Sequence, residues 1–169
     1  MDSATELSQE IEKLYYKGEI ARLTASYCWE FNSRADPEEI DFILDDGDFE
    51  AQWNTDFSGT DKQTWLTHDG VERIGWVNEI QGNEVAYVGV IIGPDITYNS
   101  EKEILEINYD MHNNKSAAKK GVGMAIKRKE KGAVERCEGA IRNSYWVLLS
   151  RATKGCFVYS EDPEVRDYL

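Results

Sequence analysis

Two histidines, three prolines and three cysteines in 169 residues leave little material for several kinds of chemistry. Cys28, Cys137 and Cys156 are odd in number and widely spaced, so they form no disulfide framework and no metal-ligand pair. Their apolar surroundings predict buried free thiols in a reducing compartment. His68 and His112 have no partner at ligand spacing, so neither is assigned a role and no metal site is expected. No apolar run is long enough to span a bilayer and no apolar segment of the secretory kind follows Met1, so a cytoplasmic setting without membrane contact is expected. The phosphate-cradling pattern G-x-x-x-x-G-K-[ST] is absent. Gly121-Val122-Gly123 is followed by basic residues but lacks the required spacing.

A general excess of positive charge is missing as well. The net charge is -13, unevenly spread: residues 1–110 hold 25 acidic and 7 basic side chains, residues 111–169 hold 7 acidic and 12 basic. Phosphate neutralisation drives nucleic-acid affinity, so strong autonomous binding to DNA or RNA is disfavoured, and only the C-terminal third offers a basic face. Asp45, Asp46, Asp48 and Glu50 alternate as calcium ligands do, but they lack the EF-hand pattern and read as a solvated acidic loop.

What is present alternates between helix and strand. Ser3 and Glu6 have capping-box spacing ahead of Leu7, Ile11, Leu14 and Tyr15, and Lys17-Gly18 closes that helix. Ile20 to Trp29 reads as a strand. Short strands are expected near Ile40–Leu44 and Phe49–Trp53 within an acidic, loop-rich region. Val85 to Ile92 is β-branched and free of charge, the pattern of a strand buried on both faces inside a parallel sheet. A polar turn, Gln81-Gly82-Asn83-Glu84, feeds it, and Gly93-Pro94-Asp95 leaves it at the edge where open α/β sheets bind ligands. Ile104 to Tyr109 is expected as a short strand in an insert. Asn113 to Gly132 is lysine-rich and glycine-broken, either a phosphate-tracking segment or a solvated surface. Gly132 to Leu149 carries an apolar stripe of Val134, Cys137, Ile141, Tyr145 and Leu148, the best helix in the chain. Gly155 to Tyr159 is a short strand, and Asp162-Pro163 opens a last helix. The alternation predicts one α/β domain over residues 1–169, with about 30–72 and 96–132 loop-rich or inserted.

Three stretches resemble a known family. Ile74 to Asp95, with its Gln81-Gly82-x-Glu84 turn and Val88-Gly89-Val90-Ile91-Ile92-Gly93-Pro94-Asp95, is similar to the T-x-Q-G-x-E-F-D-x-V-x-V-I motif of superfamily 1 DNA/RNA helicases. In form it is more similar still to the S-Q-G-L-E-F-D-Y-V-G-V-I-I-G-x-D of uncharacterised helicase-like ATPases related to the helicase part of Schlafen proteins. Asn143 to Tyr159 resembles that family's N-x-Y-x-V-L-L-T-R-x-x-K-G-x-x-V-Y, and Tyr27-Cys28-Trp29 resembles a strand ending in Y-C-W. The three matches run in family order from about residue 20 to 169.

The resemblance implies a RecA-like, three-layer α/β sandwich of the P-loop NTPase superfamily, with a mainly parallel sheet of five or six strands and a loop-rich insert. It implies the second motor domain of a nucleic-acid-dependent ATPase or helicase. There Arg151 would be the arginine finger, and Gln81, Gly82 and Glu84 would contact the nucleotide. An arginine suits that role because its guanidinium stays charged and forks onto phosphate oxygens. Trp53 and Asn54, similar to a W-N in the family's insert, would face nucleic acid together with Lys127 and Arg128; for Trp53 a core or loop-anchoring place is the other reading. ATP and Mg²⁺ would bind only in a composite site with an N-terminal P-loop RecA-like domain, because this chain lacks both the P-loop and the Mg²⁺-binding acid. The chain alone is expected not to hydrolyse ATP, with DNA or RNA a weak partner.

Several positions depart from the family pattern. Glu79-Ile80 precede Gln81-Gly82 where Thr or Ser is usual, Ala86 stands in place of Asp, Trp146 in place of a basic residue and Ser150 in place of Thr. An alternative is therefore a stand-alone acidic interaction protein, a degenerate, non-catalytic helicase domain that mimics nucleic acid or inhibits a partner. A small-molecule enzyme built on Asp95 ranks below both, with no nucleophile or paired base apparent behind it.

Overall fold

The computed structural model describes residues 1–54, 70–113, 125–126 and 128–169. Helix α1 spans Ala4–Tyr16, and the Ser3 hydroxyl accepts the Glu6 N–H as the capping pattern predicts. Gly18 then turns the chain at a left-handed φ of 89°. The strands are β1 (Ala21–Ala25), β2 (Phe42–Leu44), β3 (Phe49–Trp53), β4 (Arg73–Gly75), β5 (Val85–Ile92), β6 (Ile96–Asn99), β7 (Ile104–Ile107) and β8 (Ala152–Ser160). A one-turn helix α2 (Val77–Ile80) joins β4 to β5, α3 (Ala133–Leu149) precedes β8, and α4 (Pro163–Tyr168) follows it. The order is β2-β3-β4-β1-β5-β8; β2 pairs antiparallel with β3, and every other neighbour in this six-stranded sheet is parallel. β6 and β7 form a separate antiparallel hairpin.

Both faces of β5 are covered, as its uncharged sequence predicts. Ile91 joins Leu7 and Ile11 of α1, Leu23 of β1 and Phe42 of β2 in one apolar core. Val88, Val90 and Ile92 join Cys137, Ile141, Tyr145 and Leu148 of α3 in the other. On α3 the buried stripe starts at Ala133 rather than the expected Val134. Cys28 and Cys137 are buried, but Cys156 is exposed on the edge strand β8, against expectation. β1 is shorter than its sequence suggests because the chain turns at Ser26, whose carbonyl accepts the Cys28 N–H. Among the described residues no helix is long and apolar enough to cross a membrane.

The carboxyl ends of β1 and β5 meet at a buried carboxylate. Asp95 is 0% exposed. Its Oδ2 accepts the Ser26 hydroxyl at 2.8 Å and lies 2.8 Å from His112 Nδ1; its Oδ1 accepts the Tyr145 hydroxyl at 2.5 Å. The Cys28 thiol adds a fourth donor. Tyr145 also accepts the Gly93 N–H at 3.1 Å. Burial alone would push the Asp95 carboxyl up, but these donors outweigh it and hold it below the usual carboxylate range. Burial and the Asp95 charge push the Tyr145 hydroxyl and the Cys28 thiol up, so both keep the protons they donate. One anion thereby ties β1, β5, α3 and the His112 segment together.

Two outcomes follow. Asp95→Asn puts an amide N–H among groups that also donate, so stability should fall by about 3–5 kcal/mol, the usual cost of breaking a buried charge network. Because the folded carboxyl titrates low, its contribution is present above the unfolded value near 3.9 and vanishes as pH falls through the lower folded value. Urea unfolding at neutral pH checks this, and a loss under about 1 kcal/mol would count against the network. Gly89→Ala is the second variant. A Cβ there would lie 2.8 Å from Leu23 Cδ2 and 2.9 Å from Ile11 Cγ1, between β5 and α1. Overpacking of this kind costs about 1–3 kcal/mol, and thermal unfolding should show Tm lower by several degrees.

Candidate functional site

The amino ends of the parallel strands bring together the residues that the sequence motifs single out. The Gln81–Glu84 turn runs directly into β5, and Arg151 stands directly ahead of β8. The starts of these two strands are bonded to each other: the Val85 N–H donates to the Arg151 carbonyl at 3.3 Å, and Val85 is in register with Ala152. Glu84 and Arg151 are thus backbone neighbours on one sheet edge although 67 positions separate them in sequence. Gln81, Gly82 and Glu84 are exposed, and Gly82 adopts a φ of 89° that the turn requires. Arg151 is half-buried; its Nε is sealed from solvent and has no hydrogen-bond partner among the described residues.

β8 is irregular just past Arg151. Ala152 to Gly155 match Val85 to Tyr87, so β8 carries one extra residue there. Bulges of this kind re-aim a side chain. Here Lys154 reaches back across β5, its Nζ 2.7 Å from both carboxylate oxygens of Glu19 and 6.0 Å from the centre of the Tyr87 ring. The edge therefore carries Glu19 and Lys154 beside Glu84 and Arg151. Sequence reasoning missed Lys154, although it lies inside the T-R-x-x-K-G resemblance.

The turn is held from behind by Glu79. Its Oε2 accepts the Trp76 N–H at 3.0 Å, closing the single turn of α2, and its Oε1 accepts the Asn54 side-chain amide at 2.5 Å. Its backbone carbonyl accepts the Asn83 side chain at 2.7 Å. Burial pushes the Glu79 carboxyl up to about 7, against the opposing effect of the Asn54 amide and the Trp76 N–H.

The expected nucleic-acid contacts separate. Trp53 is 1% exposed, stacked on Tyr27 at 5.2 Å and set edge-on to Phe42 at 4.5 Å, with Trp76 and Phe31 beside it. Its ring is covered by other rings and is closed to a stacking base, so the core-anchoring reading replaces the nucleic-acid one. Asn54 is buried against Glu79, so it faces the protein instead of nucleic acid. Arg128 is exposed in a turn ahead of α3, whereas Arg151 follows the far end of that helix, about 25 Å long at 1.5 Å per residue. Lys127, His68 and the lysines at 115, 119 and 120 lie outside the described residues.

At the opposite edge, Cys28, Asp95 and His112 bring their ligand atoms within 4.8 Å of one another, all buried. Sequence reasoning gives His112 no role, because its partners lie 17 and 84 positions away. The 2.8 Å between His112 Nδ1 and Asp95 Oδ2 is a hydrogen-bond distance. Two ligands on one tetrahedral zinc stand about 3.3 Å apart at ordinary bond lengths. The cluster is a buried carboxylate with four donors, and it stands at the sheet edge where the sequence places a ligand beside Asp95.

The Schlafen group 3, DNA/RNA helicase domain matches residues 1–162. The uncharacterized protein YPL245W of Saccharomyces cerevisiae is 28% identical over 131 residues, which is 76% of this chain and 27% of that protein. The chain thus spans about a quarter of that relative's length. No solved structure matches it. On a match covering nearly its whole length, the chain belongs to the Schlafen group 3 DNA/RNA helicase domain family.

Proposed function

We propose that the chain is the second, RecA-like motor domain of a nucleic-acid-dependent ATPase. In this reading it supplies an arginine finger and ribose or phosphate contacts to an ATP site completed by a P-loop domain. The observation that carries the reading is the pairing of Glu84 and Arg151 on one sheet edge through the Val85 N–H and the Arg151 carbonyl. An ATP site shared between two such domains needs an anchored cation for charge developing on the transferred phosphoryl. Arg151 has the attributes of one: permanent charge, a fixed backbone and a half-buried side chain whose Nε has no described partner. Glu84, exposed beside it, suits a ribose hydroxyl, with Gln81 and the Gly82 backbone alongside. Mg²⁺ and the nucleophilic water would be held by the P-loop partner, in the same longer chain or in another subunit. The family assignment and the parallel sheet support this reading, as does the longer relative, which leaves length for a further domain.

A second reading draws on charge. Residues 1–110, with 25 acidic and 7 basic side chains, favour a non-catalytic interaction protein that presents a nucleic-acid-like surface to a basic partner. Arg151 has no special part in that reading.

The two readings separate on ATP turnover by the chain mixed with a P-loop half from a related helicase. Arg151→Ala should lower turnover by about 10³- to 10⁵-fold, the usual worth of an arginine finger, while the folded state is unchanged by circular dichroism. Equal rates for native chain and variant would remove the finger and leave the acidic-surface reading.

A further inference from the structure

α2 has four residues, too few to hold a helix by its own hydrogen bonds, yet it directly sets where the Gln81–Glu84 turn begins. We propose that Glu79 is the positioning residue of this edge: its carboxyl group, wedged between Asn54 and the Trp76 N–H, fixes α2 and through it the turn that carries Gln81, Gly82 and Glu84. The inference rests on the nucleotide-facing reading of that turn, and Glu79 itself touches no reacting atom.

Three contacts converge on this residue. The carboxylate bridges the end of β3 and the start of α2, two elements that lie on opposite sides of β4 in the chain. The Glu79 carbonyl then holds Asn83, the third residue of the turn, by its side chain. Backbone bonds from Gln81 to Val77 and from Asn83 to Ile80 complete the connection. Asn54, adjacent to Trp53 in the sequence, thereby acts on the edge from behind.

The site also accommodates either protonation state. The groups that face the carboxyl are the Asn54 amide from β3 and the Trp76 N–H from the β4–α2 junction; no charged side chain of the described residues adds to its balance. Ionised, it accepts from both. Protonated, it needs an acceptor, and Asn54 Oδ1 is buried with no other described partner. Turning the amide over presents that oxygen to the new O–H and costs Oδ1 no existing bond. The half-protonation point near 7 makes the exchange occur under ordinary conditions. The sign follows from the raised value: the folded state holds this proton more tightly than the unfolded chain, so stability falls as pH rises from the unfolded value near 4.3 to about 7.

Backbone amide NMR on the 169-residue chain tests the assignment, from about pH 5.5 to pH 8.5. The amides of Trp76, Gly82 and Asn83 should shift together with a midpoint near 7, and in Glu79→Gln they should stay still. Glu79→Gln can both donate and accept, so hydrogen exchange at Gln81 and Asn83, whose N–H groups bond to Val77 and Ile80, should remain within about twofold of native, while Glu79→Ala raises it about tenfold or more. Turn amides that ignore pH, or that titrate unchanged in Glu79→Gln, would overturn the proposal. So would native protection in Glu79→Ala. Adding ATP with Mg²⁺ in the presence of the P-loop half of a related helicase, which the composite site requires, separates the two layers. Titration of the turn without ATP-induced shifts at Gly82 and Glu84 keeps Glu79 and removes the nucleotide reading. ATP-induced shifts without titration do the reverse.

Discussion

The carboxylate of Asp95 is the constraint on which the arrangement of the sheet depends. A parallel sheet brings its strand ends together without a hairpin to fix them, so register and tilt must be set by packing or by cross-links. Here the cross-link is a buried anion whose donors come from β1's exit, from α3 and from the His112 segment. A buried charge is tolerable only when its lone pairs are filled, and Asp95 has them filled by Ser26, Tyr145, His112 and Cys28. The hydrogen bonds are directional, so the network selects one placement of α3 over β5, where apolar contacts alone would accept several.

That placement reaches the other edge. α3 is anchored at Tyr145, six residues ahead of Arg151, and Leu148 is packed at 0% exposure between them. The last helical turn therefore delivers Ser150 and Arg151 to a defined point at the start of β8. β5 starts at the same level because Ala86 and Tyr87 both donate to the Ile20 carbonyl and Val85 donates to Arg151. The turn carrying Glu84 and the backbone of Arg151 are thus fixed by the same strands, one from each side. The carboxyl edge carries the buried Asp95 network, the amino edge the exposed Gln81, Gly82 and Glu84.

Much of this is legible in the sequence. The capping of α1, the buried β5, the stripe of α3 and the proline-started α4 follow from local pattern, and local pattern is enough because each is decided by its own residues. The buried network has no such signature, since its members lie at positions 26, 28, 95, 112 and 145 and no spacing rule connects them. A trace is present: Y-C-W, G-x-D and N-x-Y each contribute one member, Cys28, Asp95 and Tyr145. Those motif positions tie the sheet to α3. Trp53 misleads for a related reason. A tryptophan in an acidic, glycine-broken stretch suggests exposure, but Tyr27, Phe31, Phe42 and Trp76 converge on it from separate elements. Lys154 escapes notice because its reach to Glu19 depends on a bulge, which only pairing with β5 reveals.

The departures from the family pattern gain a common meaning in this geometry. Ile80, which replaces a hydroxyl, is 0% exposed and belongs to the core beneath α3. Glu79 beside it is turned inward to Asn54, and Ala86 spends its backbone N–H on Ile20. At all three positions the groups present face the protein. Trp146, in place of a basic residue, is 73% exposed on α3 and offers no charge to a phosphate backbone. Glu84 and Arg151, by contrast, keep both their identity and an open position. On the reading proposed above, these replacements would loosen contact with a polymer while leaving the Glu84–Arg151 pair free for a nucleotide. Loose contact with a polymer agrees with the low positive charge of the chain, whose first 110 residues hold 25 acidic and 7 basic side chains.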